Sequence, residues 1–376
     1  MSKFVDCRKS LTIPSWRCWI LVGLALWATA WVARAQDAAD GVAPPIIDNV
    51  EAAFAAISTI GRHLNASTNG RIPEPAYRVS FKNRFGLWNH FQGVQRLAGT
   101  GYLVVSGSNP RSSLSQLFVI RQEDNGTNEV VASIDVDPVM WHVGGLSVLG
   151  SVLAVPIHGG SPRQAKIVFY DLANPEQPRK LPIEINRPSR KASATALTRL
   201  QNSRYLAAVL AQFDGRPLRI DFYLSRTQAL EDGFAPEPTT WLVSDVQAGP
   251  GQERTFDHFQ AINFVSQADG RLFLVGFHNT FVSASAMPGR DYADLYEVMF
   301  PDVSVDAASP RLDKPVIVKV ANRMLRCRSG YCNLDAAAGL YVDADAQALS
   351  VYAAAGWLDD DTMKLTVYAG ESGTAR

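Results

Sequence analysis

The feature of this 376-residue chain that most restricts its fold is a repeat. Five segments share one internal register: His90-Phe-Gln-Gly-Val-Gln-Arg-Leu97, His142-Val-Gly-Gly-Leu-Ser-Val-Leu149, Ser193-Ala-Thr-Ala-Leu-Thr-Arg-Leu200, His258-Phe-Gln-Ala-Ile-Asn-Phe-Val265 and Asp335-Ala-Ala-Ala-Gly-Leu-Tyr-Val342. An apolar, β-branched or aromatic run follows each one, at Tyr102–Ser106, Val152–Ile157, Tyr205–Leu210, Leu272–Phe277 and Leu349–Ala353. A third run follows at Leu117–Arg121, Lys166–Asp171, Arg219–Leu224, Ala293–Met299 and Lys364–Tyr368. Four of the units add a fourth, at Val130–Val136, Arg179–Ile185, Thr240–Val246 and Val316–Val320. Short apolar runs broken by Gly, Asn, Asp and Pro are strand texture, and a repeated unit of fixed internal order is the mark of a ring of sheets. The expectation is all-β: a five-bladed β-propeller of four-stranded blades. A β-sandwich would not explain five units of the same order.

The fifth unit has no fourth strand before the chain ends. The missing one is expected at Tyr77–Lys82, an N-terminal strand that closes the ring and removes exposed sheet edges. The fourth position of the inner segments supports the ring, holding Gly93, Gly145, Ala196, Ala261 and Ala338. Small residues at one register suit strands crowded around a narrow axis. The preceding Ala- and Pro-rich stretch, residues 36–76, reads as a leader. Within it, Val50, Phe54, Ile57, Ile60 and Leu64 recur at helical spacing and predict one amphipathic helix over Asp48–Leu64.

The first 35 residues read as an address. Lys3, Arg8, Lys9 and Arg17 precede the apolar run Cys18–Val32, and Ala33-Arg34-Ala35 precedes polar sequence. That is the order of a cleaved secretory signal, with an uncleaved anchor as the rival. The run is shorter than the roughly 20 residues a spanning helix needs. Cleavage would leave 31 basic and 35 acidic groups, and Cys327 and Cys332 as the remaining cysteines. Two cysteines in an exported chain predict a disulfide, whereas a thiolate metal site usually takes three or four. The balanced charge and lack of a basic stripe exclude an electrostatic nucleic-acid binder. The expected location is periplasmic or extracellular, with no membrane span after cleavage.

Lys166-Ile-Val-Phe-Tyr-Asp-Leu-Ala-Asn-Pro-Glu-Gln-Pro178 resembles the strand-Asp-x-x-x-Pro-x-x-Pro signature of LVIVD-type repeats in secreted bacterial propeller proteins. The likeness covers one blade. It implies fold and compartment, and no activity.

Candidate chemistry lies at position one of the inner segments: His90, His142, Ser193, His258 and Asp335. Three of the chain's six histidines share this register. On the innermost strands of a propeller, such residues surround the axis at one mouth. His90, His142, His258 and Asp335 have the donor set for Zn²⁺ or Fe²⁺, with Gln92, Gln260 and Asp257 placed to orient them or to bind ligand beside Ser193. Two other readings remain open: a binding site without metal, and a structural ring of hydrogen bonds. Asp359-Asp360-Asp361 reads as an acidic turn, with Ca²⁺ as the rival, and Asp343 and Asp345 as ordinary turn residues. Trp88 and Trp141 stand beside ring histidines, and Asn279–Asp291 is long enough for a lid. No nucleophile elbow, phosphate loop or dinucleotide fingerprint is present. The sequence thus expects a protein that binds a small molecule, a glycan or an envelope protein at the channel mouth, with a metal-assisted hydrolase as the alternative.

Overall fold

A computed structural model describes residues 43–72, 77, 90–109, 114–123, 126–159, 164–212, 215–280, 290–304, 310–328 and 331–370. The signal segment, residues 78–82, Trp88 and the centre of the Asn279–Asp291 stretch lie outside them. Among the described residues no helix is long and apolar enough to cross a membrane.

The described part opens with β1 (Ile46–Ile47), α1 (Val50–Ala55) and β2 (Arg62–Ser67). The first sheet is a meander of β3 (His90–Arg96), β4 (Tyr102–Asn109), β5 (Leu114–Gln122) and β6 (Asn128–Asp137). In the second, the inner strand is split at Gly144-Gly145 into β7 (His142–Val143) and β8 (Ser147–Leu149). Both parts pair with β9 (Val152–His158), which continues to β10 (Ala165–Asp171) and β11 (Arg179–Arg187). The third contains β12 (Ala194–Arg199), β13 (Tyr205–Ala211), β14 (Arg219–Leu224) and β15 (Thr239–Leu242). Its fourth strand is shorter than the sequence suggests, because Val243–Asp245 turns into a 3₁₀ helix. After β16 (Gln247–Ala248), the fourth sheet contains β17 (Ala261–Gln267), β18 (Leu272–Thr280) and β19 (Arg290–Met299). A small hairpin of β20 (Val303–Ser304) and β21 (Arg311–Leu312) leads to its last strand, β22 (Val316–Leu325). β1 and β16 extend this sheet by parallel pairing at its two edges. The last contains β23 (Ala337–Asp343), β24 (Ala348–Asp359) and β25 (Thr362–Tyr368), completed by β2.

The inner strands follow one another in a closed circuit: β3 meets β8, β8 meets β12, β12 meets β17, β17 meets β23, and β23 returns to β3. Hydrogen bonding alone traces a closed eight-strand path through the first and last sheets. Among the described residues, the ladders of those sheets meet at the single parallel bridges Ala338↔Gly93 and Ser67↔Glu129. They are two meanders touching at both ends, not one continuous cylinder. Apolar layers lie between successive sheets. Val104, Val119 and Leu153 belong to one, Ala207, Phe169 and Ile167 to the next, and Trp241, Phe222 and Tyr296 to a third. Val275, Leu295 and Val351 form another, and Phe91, Phe118 and Leu365 the one that closes the circuit. The architecture is all-β and propeller-like.

Two expectations about the N-terminal stretch are corrected. The helix spans only Val50–Ala55, started by Asn49, whose side chain accepts from the Ala52 amide at 3.0 Å. β-branched Ile57, Thr59 and Ile60 and then Gly61 disfavour its continuation. From Arg62 the period is two: Leu64 and Ala66 are buried, while Arg62, His63, Asn65 and Ser67 face out. This strand closes the last sheet, pairing antiparallel with β25 from Arg62↔Val367 to Ser67↔Thr362, in the place expected for Tyr77–Lys82, of which residues 78–82 lie outside the described residues. Tyr77 instead serves as a core residue, stacked on Phe91 at 5.0 Å and donating to Gln116 at 3.1 Å.

The crowded axis is where the small residues sit. A Cβ on Gly93 would lie 2.7 Å from the Leu146 amide nitrogen and 3.1 Å from the Gly145 Cα. One on Gly145 would lie 2.6 Å from the Ala261 Cα. Cys327 and Cys332 form the expected disulfide, with Cys332 buried in the apolar layer beside Tyr368.

Candidate functional site

The inner strands begin at one mouth of the axis, where the second strands end and the third begin. β3 and β7 open directly on His90 and His142. β17 and β23 start later, so His258 and Asp335 lie on the preceding loops and are exposed at the rim. Ser193 precedes β12 and is buried, its carbonyl accepting from the Gly145 amide.

Gln92 is the centre of the site. Its side-chain oxygen accepts from Gln260 Nε2 across the axis. Its amide nitrogen therefore faces the imidazoles, meeting Nε2 of His90 and, at 3.2 Å, Nε2 of His142. An amide nitrogen only donates, so both Nε2 atoms accept and both rings hold their proton on Nδ1. The His142 Nδ1 is buried and has no hydrogen-bond partner among the described residues. His142 stacks on His158 at 4.3 Å and has Trp141 at 5.3 Å. Burial pushes the His158 pKa down to about 4. Burial, then the neighbouring His158 and His90, hold His142 well below the usual imidazole range. On this half of the mouth, burial keeps His142 and His158 neutral beside the Gln92 and Gln260 amides.

The opposite half is acidic. His278 lies near the end of β18 and is buried, with Tyr292 stacked on it at 5.4 Å. Its Nε2 lies 3.7 Å from Asp257 and 3.5 Å from Asp294, and makes no hydrogen bond among the described residues. These are electrostatic contacts. Asp294 also accepts from Lys319 at 2.7 Å and Tyr296 at 3.1 Å. Burial would raise its carboxyl, but His278 and Lys319 more than offset this and hold it low. Asp291 is buried, accepts from the Leu334 amide at 2.8 Å, and is pushed up to about 6 by burial. Asp335 is also pushed up to about 6, since the surrounding wall displaces water although the side chain reaches the rim.

Of the sequence candidates, His90, Gln92, His142 and Gln260 come together. His258 instead meets Gln212 at 3.2 Å, and Asp335 faces Asp291 and His278. Among the described residues, Asp257, His278 and Asp294 are the group of three metal-competent donors within 4.8 Å of one another. The four expected ligands His90, His142, His258 and Asp335 form no such group. Sequence reasoning missed His158, His278, Asp291 and Asp294. A signal for the first two was available: Val152-Leu-Ala-Val-Pro-Ile-His158 and Leu272-Phe-Leu-Val-Gly-Phe-His278 each carry histidine at the seventh position of a second strand. The acidic runs at the last blade behave as turns. Asp343 accepts from the Ala346 amide at 2.9 Å, and Asp359 pairs with Lys364.

No family model and no curated protein matches this chain, so the LVIVD-type likeness rests on Lys166–Pro178 alone. There Asp171 caps the turn between β10 and β11, accepting from the Ala173 amide and Arg179, both at 2.9 Å. Solved structures are similar in overall trace. An α-L-arabinanase of Penicillium chrysogenum complexed with arabinobiose has 11% identity and a TM-score of 0.44, over 84% of this chain and 99% of that one. A GH43_1 enzyme of Xanthomonas citri complexed with xylotriose has 10% identity and a TM-score of 0.44, over 75% and 87%. The Malassezia sympodialis allergen Mala s 1 has 13% identity and a TM-score of 0.36, over 79% and 83%. At these scores no residue role passes from them to this chain.

Proposed function

We propose that this chain is an exported five-bladed β-propeller that binds a neutral polyhydroxylated ligand, a glycan, at the mouth where β3, β7, β12, β17 and β23 begin. The carrying observation is the buried Nδ1–H of His142, a donor with no acceptor among the described residues. An unmet buried donor is costly, and a ligand oxygen would satisfy it. The groups around it suit hydroxyls, which both donate and accept. Gln92, His142 and His158 carry no fixed charge on that side, while Asp257 and Asp335 accept on the other. Trp141 beside His142 offers an apolar face for a sugar ring. The N-terminal pattern Lys3 to Ala35 and the Cys327–Cys332 disulfide support export.

Isothermal titration of the purified protein with arabinobiose, xylotriose and a wider glycan panel tests the reading. The expected result is saturable binding that is lost in Gln92→Ala and His142→Ala and kept in His63→Ala, whose site on β2 lies beside Tyr331. Absence of saturable binding across the panel would refute it.

A further inference from the structure

We infer that Asp257, His278 and Asp294 form a binding site for one divalent first-row transition ion, on the acidic side of the mouth. Donors around a common ion of this class, at bond lengths of about 2.1 Å, stand roughly 3.0–3.6 Å apart for bond angles of 90–120°. The His278 Nε2 lies 3.5 Å from Asp294 Oδ2 and 3.7 Å from Asp257 Oδ2. These separations are too long for good hydrogen bonds and close to those of ligands sharing one ion. Asp257 is half-exposed, so its carboxylate is free to rotate the remaining distance inward.

The second observation is the imidazole itself. His278 is 5% exposed, and its Nε2 is buried between two carboxylates with no hydrogen bond among the described residues. A polar atom so placed needs a partner, and a metal ion is one that both carboxylates also favour. Charge points the same way. The carboxyls of Asp257, Asp291, Asp294 and Asp335 face His278 or its neighbours, while Lys319 is the cation that answers them. Lys319 already holds Asp294, so the ion shares that carboxylate with it, and Asp257 and His278 supply donors that no other group uses among the described residues. Two oxygens and one imidazole nitrogen favour Zn²⁺ or Mn²⁺ over Ca²⁺, which takes six to eight oxygens. Three protein donors leave coordination positions open to water or to a ligand oxygen. The site lies in the mouth proposed for glycan, but its occupancy does not depend on that proposal.

The experiment uses metal-stripped, purified full chain with no sugar present, titrated with Zn²⁺ by calorimetry and counted by elemental analysis. One ion per chain is expected, with affinity reduced at least tenfold in Asp257→Asn and in His278→Gln, and unchanged in His63→Gln. Circular dichroism checks each variant. If His278→Gln does not fold, Asp257→Asn decides, since its side chain is half-exposed. Absence of Zn²⁺ binding would overturn the inference. So would equal binding in Asp257→Asn, or loss of the ion in His142→Gln with retention in Asp257→Asn, which would assign it to the histidine pair.

Discussion

Gly145→Ala tests the packing on which the whole mouth depends. Gly145 bridges to Ala194 on one side and faces β17 on the other. An added Cβ would overlap the Gln260 carbonyl oxygen and come within 2.6 Å of the Ala261 Cα and 2.8 Å of its Cβ. Backbone atoms of a central strand have nowhere to go, because β17 is held by β18 along its length. One methyl group in a well-packed core typically costs 1–3 kcal/mol, and a clash against fixed backbone belongs at the top, about 3 kcal/mol. Gly356→Ala is the control: among the described residues its Cβ would meet the Ala336 Cβ, at 3.3 Å, and no backbone atom. Urea unfolding followed by tryptophan fluorescence gives both values. The double variant Gly145→Ala/Ala261→Gly should recover part of the loss, because it removes one of the overlapping atoms. Stability of Gly145→Ala within about 0.5 kcal/mol of wild type would refute a narrow axis with strands in contact across it.

Three other outcomes are expected. Ile60→Lys should be tolerated and Leu64→Lys should unfold the last sheet, since Ile60 is 68% exposed and Leu64 8%; equal damage from both, by thermal melting, would favour the continuous helix. His158 stays neutral in the fold down to about pH 4, while the unfolded chain takes up that proton from about 6.5, so stability falls between these values by about 3 kcal/mol. Asp291 works in the opposite sense, its folded carboxyl protonating near 6 and adding stability as pH falls, so the assay is the difference between wild type and His158→Gln. An unchanged pH profile in that variant would contradict the burial argument. Reducing Cys327–Cys332 releases a short loop, and the chain-entropy estimate is a loss of about 2 kcal/mol, read from urea midpoints with and without reductant.

What could be read in the sequence was whatever the axis forces on every unit alike. Gly93, Gly145, Ala196, Ala261 and Ala338 share a register because the inner strands leave no space there, and a constraint applied five times leaves a pattern. The closing strand was missed because it occurs once. Leu64 falls on both a helical and a strand pattern with its neighbours, and only pairing with β25 selects the strand. The site was half legible for a similar reason. Position one of the inner strands was counted, but a propeller mouth also receives the ends of second strands and the starts of third strands. His158 lies opposite His142 across a hairpin, and Asp294 reaches His278 from the neighbouring strand. Cross-strand neighbours are set by turn length and register, which five aligned inner segments do not contain.

The narrow axis also determines where a ligand can go. Gln92 and Gln260 join across the mouth, and deeper down Gln95 donates to the Leu146 carbonyl and, at 3.2 Å, to Asn263. Asn263 in turn accepts from the Leu340 amide at 3.1 Å. These amides spend hydrogen bonds on one another and on backbone, and so tie the sheets together. At the mouth, two imidazole atoms have unmet capacity among the described residues, His142 Nδ1 on one side and His278 Nε2 on the other. The mouth therefore has two parts of different chemistry. A neutral imidazole side offers donors to hydroxyls, and a carboxylate side attracts a cation. A ligand spanning both would be oriented by that difference, with its hydroxyls over His90 and His142 and its metal-binding oxygen over Asp257 and Asp294. Loss of Gln92 should then weaken ligand binding without touching the ion, and loss of Asp257 should do the reverse in the absence of ligand.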